Sequence, residues 1–246
     1  AIDIGTNAIR LFISNVEEYP TETLFKKIAF LRVPIRLGED VFTTGEIGQQ
    51  KRKRLCETMQ GFSYIMSAFN VESYKAYATC AMREARNGKS VAEQIQKECD
   101  LNIEIISGTK EAETIFAGGM NEVVDDDKTY LYVDVGGGST EVIVYSKSVK
   151  IEACSFPLGT VRMLNDAVDK EEMKHFKKWL KNITEKYTPD AIIGSGGNIN
   201  KIHKLLNKKE RERITYQELD ILYEYMKSFN LEERERIMKL NTYRAD

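Results

Sequence analysis

A chain of 246 residues with 42% hydrophobic content can bury one large core or two modest ones, and two is the division favoured at this length. A formal net charge of −2 excludes the broad basic field of nucleic-acid binders, so any polyanion must be held by local groups. No stretch stays apolar for the ~18 residues that cross a membrane and no signal peptide is visible, which predicts a soluble, cytoplasmic protein without a membrane partner.

Residues 1–16, AIDIGTNAIRLFISNV, read as strand, turn and strand: an apolar run reaches an acid at Asp3, passes through Gly5, Thr6 and Asn7, and resumes at Leu11, Phe12 and Ile13. Strands are predicted over residues 24–31 and 33–37, broken by Pro34. From 47 to 69, Leu55, Met59, Phe62, Met66 and Phe69 keep helical spacing, and the basic cluster 51–54 is expected on a solvated face of that helix. Tyr74, Ala76 and Ala78 alternate as a strand. Arg83 and Arg86 follow just past its carboxyl end, where α/β sheets place ligands. A helix over 90–99, a strand over 103–106, a turn at 107–109 and a helix over 110–116 continue the alternation that marks an α/β layer fold. Gly118 and Gly119 then loosen the chain, and the boundary between two domains is expected near residue 118.

Residues 130–145, YLYVDVGGGSTEVIVY, repeat the opening design with more glycine. Displaced by 131 positions, Asp3 falls on Asp134, Gly5 on Gly136 and Ala8 on Ser139, an internal repeat. Gly136, Gly137 and Gly138 let a ligand approach the main chain, so that several N–H groups converge on one anion. A ligand-free hairpin has the same glycine count. Asp134 weighs for the ligand, because an acid at the end of a buried strand needs a partner, and beside phosphate a hard cation such as magnesium is the commonest one.

A strand over 151–156 leads to Pro157, Leu158, Gly159 and Thr160, and the helix over 170–187 puts Met173, Phe176, Leu180 and Ile183 on one face. After a strand over 191–194, Ser195, Gly196, Gly197 and Asn198 open a helix, presenting free N–H groups as a third phosphate or nucleotide candidate. Thr215 and Glu218 fit a capping box, and a charged helix over 232–239 is expected to be structural. The chain opens inside a strand pattern and ends at 244–246 without a stop signal, so both ends are expected to be clipped or disordered. The cysteines at 56, 80, 99 and 154 and the histidines at 175 and 203 are too dispersed for zinc or a histidine triad.

The segments DIGTNAIRL at 3–11, RLGE at 36–39, ATCAMREARNG at 78–88, IISGTKEA at 105–112, DVGGGSTE at 134–141 and GSGGNI at 194–199 together resemble the exopolyphosphatase and guanosine pentaphosphate phosphohydrolase family, within the actin, heat-shock 70 and hexokinase superfamily. The resemblance implies two ribonuclease H-like α/β lobes, 1–118 and 119–246, with an interlobe cleft, and magnesium- or other divalent-cation-assisted hydrolysis of a terminal phosphoanhydride. By it, Glu111 matches the catalytic base, Arg83 an arginine pointing into the cleft, Asp134 the metal acid, and 136–139 the phosphate loop. Read from the chemistry of the residues, magnesium on Asp134, with Glu141 as a second ligand, would bridge phosphoryl oxygens. Arg36 would join Arg83 on phosphoryl oxygens, and Gly5 to Asn7 would clamp substrate from the opposite lobe.

Taken without the resemblance, Glu111 is equally an acid favoured near a helix N-terminus. Arg83 and Arg86 can pair with Glu84 or another acid, Glu141 can face solvent, and Arg10 serves as well in a lobe-to-lobe salt bridge. Lys110 stands where the family often has an acid, and is expected to lower the pKa of Glu111. Inorganic polyphosphate or guanosine pentaphosphate is the expected substrate. A non-catalytic sensor of guanosine tetra- or pentaphosphate and a small-molecule kinase are the alternatives, and a homodimer is compatible with each.

Overall fold

Two sheets with a shared strand order organise the chain. The computed structural model describes residues 1–20, 22–117, 125, 127–147, 149–209 and 212–240. The first series of elements is β1 (Ile2–Ile4), β2 (Ile9–Glu18), β3 (Thr23–Val33), α1 (Leu37–Thr44), α2 (Gln49–Ala68), β4 (Ala76–Ala78), α3 (Cys80–Glu84), α4 (Gly88–Cys99), β5 (Glu104–Ile105) and α5 (Gly108–Ala117). The second is β6 (Thr129–Val135), β7 (Thr140–Ser146), β8 (Val149–Phe156), α6 (Thr160–Leu164), α7 (Lys170–Tyr187), β9 (Ala191–Ser195), α8 (Gly197–Leu205), α9 (Tyr216–Lys227) and α10 (Leu231–Met238).

The first sheet runs β3-β2-β1-β4-β5 and the second β8-β7-β6-β9. In each, the first three strands of the series form an antiparallel meander and the next adds in parallel to the meander's first strand. The sequence repeat is therefore a repeat of topology, and the mixed α/β architecture expected from the sequence is present.

Patterning explains the packing. The α2 stripe buries Leu55, Met59, Phe62 and Met66 beneath the first sheet, each fully buried side chain contributing roughly 1.5–3 kcal/mol. In β7 alternate residues serve opposite faces. Ile143 and Tyr145 pack with Ala112 and Ile115 of α5, whereas Val142 and Val144 pack with Met173, Phe176, Leu180 and Ile183 of α7. Covered on both faces, β7 is apolar without alternation. Among the described residues no helix is long and apolar enough to cross a membrane.

Two expectations change, and a third falls outside the described residues. Residues 33–37 do not form a second strand: Pro34 offers no N–H to a ladder. Arg36 then takes a left-handed conformation (φ 57°) that turns the chain into α1. Lys51 does not sit on a solvated face; its ammonium donates to the carbonyl of Arg36 at 2.6 Å and pairs with Glu39 at 2.8 Å and Asp40 at 2.9 Å. The boundary near 118, with Gly118 and Gly119, lies outside the described residues. By core membership, though, α5 sides with the second sheet rather than the first.

Candidate active site

Register brings the two acids of the second half together. Asp134 on β6 stands opposite Glu141 on β7, and directly opposed residues share a face of the sheet. The repeat-equivalent pair in the first half is Asp3 opposite Arg10, an ion pair within one sheet rather than a bridge between lobes. The duplicated position is self-neutralised in one half and doubly acidic in the other. Burial pushes Asp134 above the usual carboxylate range, with Arg10 opposing and Asp3 adding. Burial also raises Glu141, against hydrogen bonds from Ser139 and Ser155. Far from facing solvent, Glu141 is 2% exposed, and Ser155 donates to its Oε1 at 2.8 Å.

Glu111 comes to the same place from the first turn of α5. Gly108 lets that helix start against β8, since a Cβ there would lie 2.6 Å from Ser155 Oγ. Burial raises the pKa of Glu111 to about 7, Glu141 adds to the rise, and Arg83 opposes it. Arg83 is anchored by the carbonyl of Ile106, to which Nη1 donates at 2.7 Å, and the same atom lies 3.4 Å from Glu111 Oε2. Arg83 thus pairs with Glu111 and not with its neighbour Glu84. The lowering expected from Lys110 does not prevail: its side chain is exposed, and the net shift of the acid, set mainly by burial, is upward.

Both glycine turns close with the same hydrogen bond, Gly5 N–H to Ala8 O at 3.2 Å and Gly136 N–H to Ser139 O at 2.9 Å. Each turn is also held by the helix after its meander, Gly38 N–H donating to Thr6 O at 3.0 Å and Val161 N–H to Gly137 O at 2.8 Å. The turns meet directly. A Cβ on Gly137 would lie 3.2 Å from Thr6 Cγ2 and 3.3 Å from Asn7 Cβ. Gly196, at the start of α8, has φ 95°, and a Cβ there would lie 2.6 Å from Asp134 Oδ1. Conformation and space both require glycine, and the loop of Gly196, Gly197 and Asn198 thereby adjoins Asp134.

Glu111, Arg83, Asp134, Glu141, Ser139 and the three glycine loops are thus brought together. Arg36 is engaged elsewhere: its guanidinium pairs with Glu39 at 2.8 Å, and its N–H braces the first turn through Asn7 O at 3.0 Å. Sequence reasoning gave no role to Ser155 or Arg162 and named Glu84 only as a rival partner for Arg83 and Arg86. The available signal was the repeat, which places residues 157–162 after β8 as RLGE stands after β3.

The model of the Ppx/GppA phosphatase family matches residues 16–246. Over 167 residues, 66% of this chain, it is 31% identical to a protein of Fusobacterium nucleatum named bifunctional 3-dehydroquinate synthase/phosphatase, and spans 25% of that protein. It is 23% identical over 222 residues, 83% of its length, to exopolyphosphatase 1 of Mycobacterium tuberculosis, spanning 62% of that relative. The crystal structure of an exopolyphosphatase from Cytophaga hutchinsonii superposes with a TM-score of 0.84 at 24% identity, covering 100% of this chain and 84% of that one, a likeness of fold.

Proposed function

Because this chain belongs to the Ppx/GppA phosphatase family, we propose that it hydrolyses the terminal phosphoanhydride of inorganic polyphosphate. The observation that supports this most is Glu111, a mostly buried acid with a pKa of about 7 that lies beside Arg83 and within the field of Glu141. A base whose pKa lies near neutral pH combines a substantial ionised fraction with enough basicity to take a proton from water. Anhydride cleavage asks the protein mainly to position water and neutralise charge. In this reading Glu111 holds the water and accepts its proton. Arg83, fixed by the Ile106 carbonyl, neutralises a phosphoryl oxygen, and the N–H groups of residues 137–139 hold the terminal phosphate.

Among the described residues no three His, Cys, Asp or Glu side chains form a complete metal cage. The opposed acids Asp134 and Glu141 do fit magnesium, which commonly takes one or two carboxylates and completes its shell with water and substrate phosphates. Bound there, it would supply Lewis-acid stabilisation of phosphoryl oxygens.

Guanosine pentaphosphate offers the same terminal anhydride and is the competing substrate. The names of the relatives favour hydrolysis over a silent nucleotide sensor or a kinase. The experiment is phosphate release from polyphosphate and guanosine pentaphosphate side by side, with and without magnesium. Release from polyphosphate that needs the cation and is lost in Glu111→Ala supports the proposal. No release from either substrate, or an unaffected Glu111→Ala, sinks it.

A further inference from the structure

Three consecutive carbonyls of the second glycine turn are held by one short helix. Gly136 O accepts the N–H of Thr160 at 3.0 Å, and Gly137 O those of Val161 at 2.8 Å and Arg162 at 3.1 Å. Gly138 O accepts Nε of Arg162 at 2.9 Å. No peptide bond among the described residues is cis, and in a trans peptide the carbonyl and the next N–H point to opposite sides. The N–H groups of Gly137, Gly138 and Ser139 are therefore directed away from α6. Successive N–H groups so directed make an anion-binding concavity. Backbone donors fix the first two peptides; the third depends on a side chain.

That side chain has more partners. Arg162 Nη2 donates to Glu84 Oε1 at 2.6 Å and lies 3.4 Å from Cys80 Sγ. Its Cζ lies 4.1 Å from the ring centroid of Phe42, and the residue is 8% exposed. Glu84 directly follows Arg83 on α3, so one guanidinium spans from the turn on the second sheet to the helix presenting Arg83 beside Glu111. Its two ends need the planar fork of arginine, which a lysine ammonium cannot reproduce.

We propose that Arg162 is a positioning residue: it sets the third peptide of the phosphate turn and ties that turn to the Arg83 helix, giving the turn its grip on a terminal phosphate. The ligand's identity rests on the phosphohydrolase reading; the geometry does not. A merely structural ion pair would lower stability and the active fraction while leaving KM alone. A positioning role moves KM, because the turn grips phosphate in the ground state as well as in the transition state.

The test is steady-state phosphate release from inorganic tripolyphosphate, paired with calorimetry of tripolyphosphate binding, for wild type, Arg162→Lys and Glu84→Gln. The expected result is a KM raised about tenfold or more in Arg162→Lys with kcat within about threefold, and a smaller rise in Glu84→Gln, which keeps the bond to Gly138 O. An unchanged KM in both variants overturns the proposal, whatever happens to Tm. If Arg162→Lys fails to fold, Glu84→Gln decides by the same criterion. Should wild type bind tripolyphosphate without releasing phosphate, the hydrolase reading fails separately. Calorimetry then decides: weakened binding in Arg162→Lys upholds the positioning role, and equal binding overturns it. A wild-type chain that neither binds nor hydrolyses tripolyphosphate overturns both.

Discussion

Replacing Glu111 with glutamine should stabilise the protein at high pH and leave it unchanged at low pH. The acid's pKa rises from 4.5 to about 7 on folding. Below 4.5 the group is protonated in both folded and unfolded chains and contributes nothing. Between 4.5 and about 7 the folded chain binds more protons than the unfolded one, so stability falls as pH rises. Above about 7 the full penalty stands, about 3 kcal/mol at ~1.4 kcal/mol per tenfold change in proton affinity. The side chain is only 16% exposed, so solvent screening removes little of it. Part of the gain at high pH passes through Glu141, whose like charge loses its neighbour. Urea denaturation of wild type and Glu111→Gln from pH 4 to 8.5 measures the difference. A gain that grows from near zero at pH 4 to about 2–3 kcal/mol at pH 8 is expected. A difference flat in pH, or a loss at pH 8, would show that Glu111 is not held in an environment hostile to its charge.

Arg83→Gln removes the cation that opposes the rise in Glu111, so the acidic limb of kcat/KM should move to higher pH, as a pH–rate profile would register. Gly159→Ala would place a Cβ 2.4 Å from Gly137 C and Gly138 N. The second glycine turn must shift, and under the proposed function phosphate release should fall about a hundredfold even in folded protein, since a displacement of ~1 Å costs about that much. Gly61→Ala in α2 meets nothing within 4 Å and should stabilise by roughly 0.5–1 kcal/mol, raising Tm with activity unchanged.

Where periodicity was strong the fold could be read directly: α7 has the bounds its apolar stripe suggests, and the capping box at Thr215 is present. Residues 33–37 misled because Ile35 and Leu37 alternate like a strand and are both buried, yet between them Arg36 takes a left-handed conformation that alternation cannot reveal. Lys51 misled for a similar reason. Sequence placed it in a basic run, whereas its setting is decided by a carbonyl and two acids from α1 and its N-terminal flank. Arg162 could not be singled out locally, because its partners Gly138 and Glu84 lie 24 and 78 residues away.

The internal repeat was legible, but its functional content lay where the halves differ. Position 10 is arginine in the first half and its equivalent at 141 is glutamate in the second, each opposite the strand-end acid. Asp3 therefore has its counter-charge built in. Asp134 faces a second acid at a site where burial raises both. Two carboxylates on one face each disfavour the other's ionisation, and a cation between them would relieve that repulsion. The magnesium proposed above would therefore belong to the second half, on the chemistry of one strand pair. Glu111, close enough to feel Glu141, shares in that repulsion, and its pKa is raised to about 7 with burial as the larger cause.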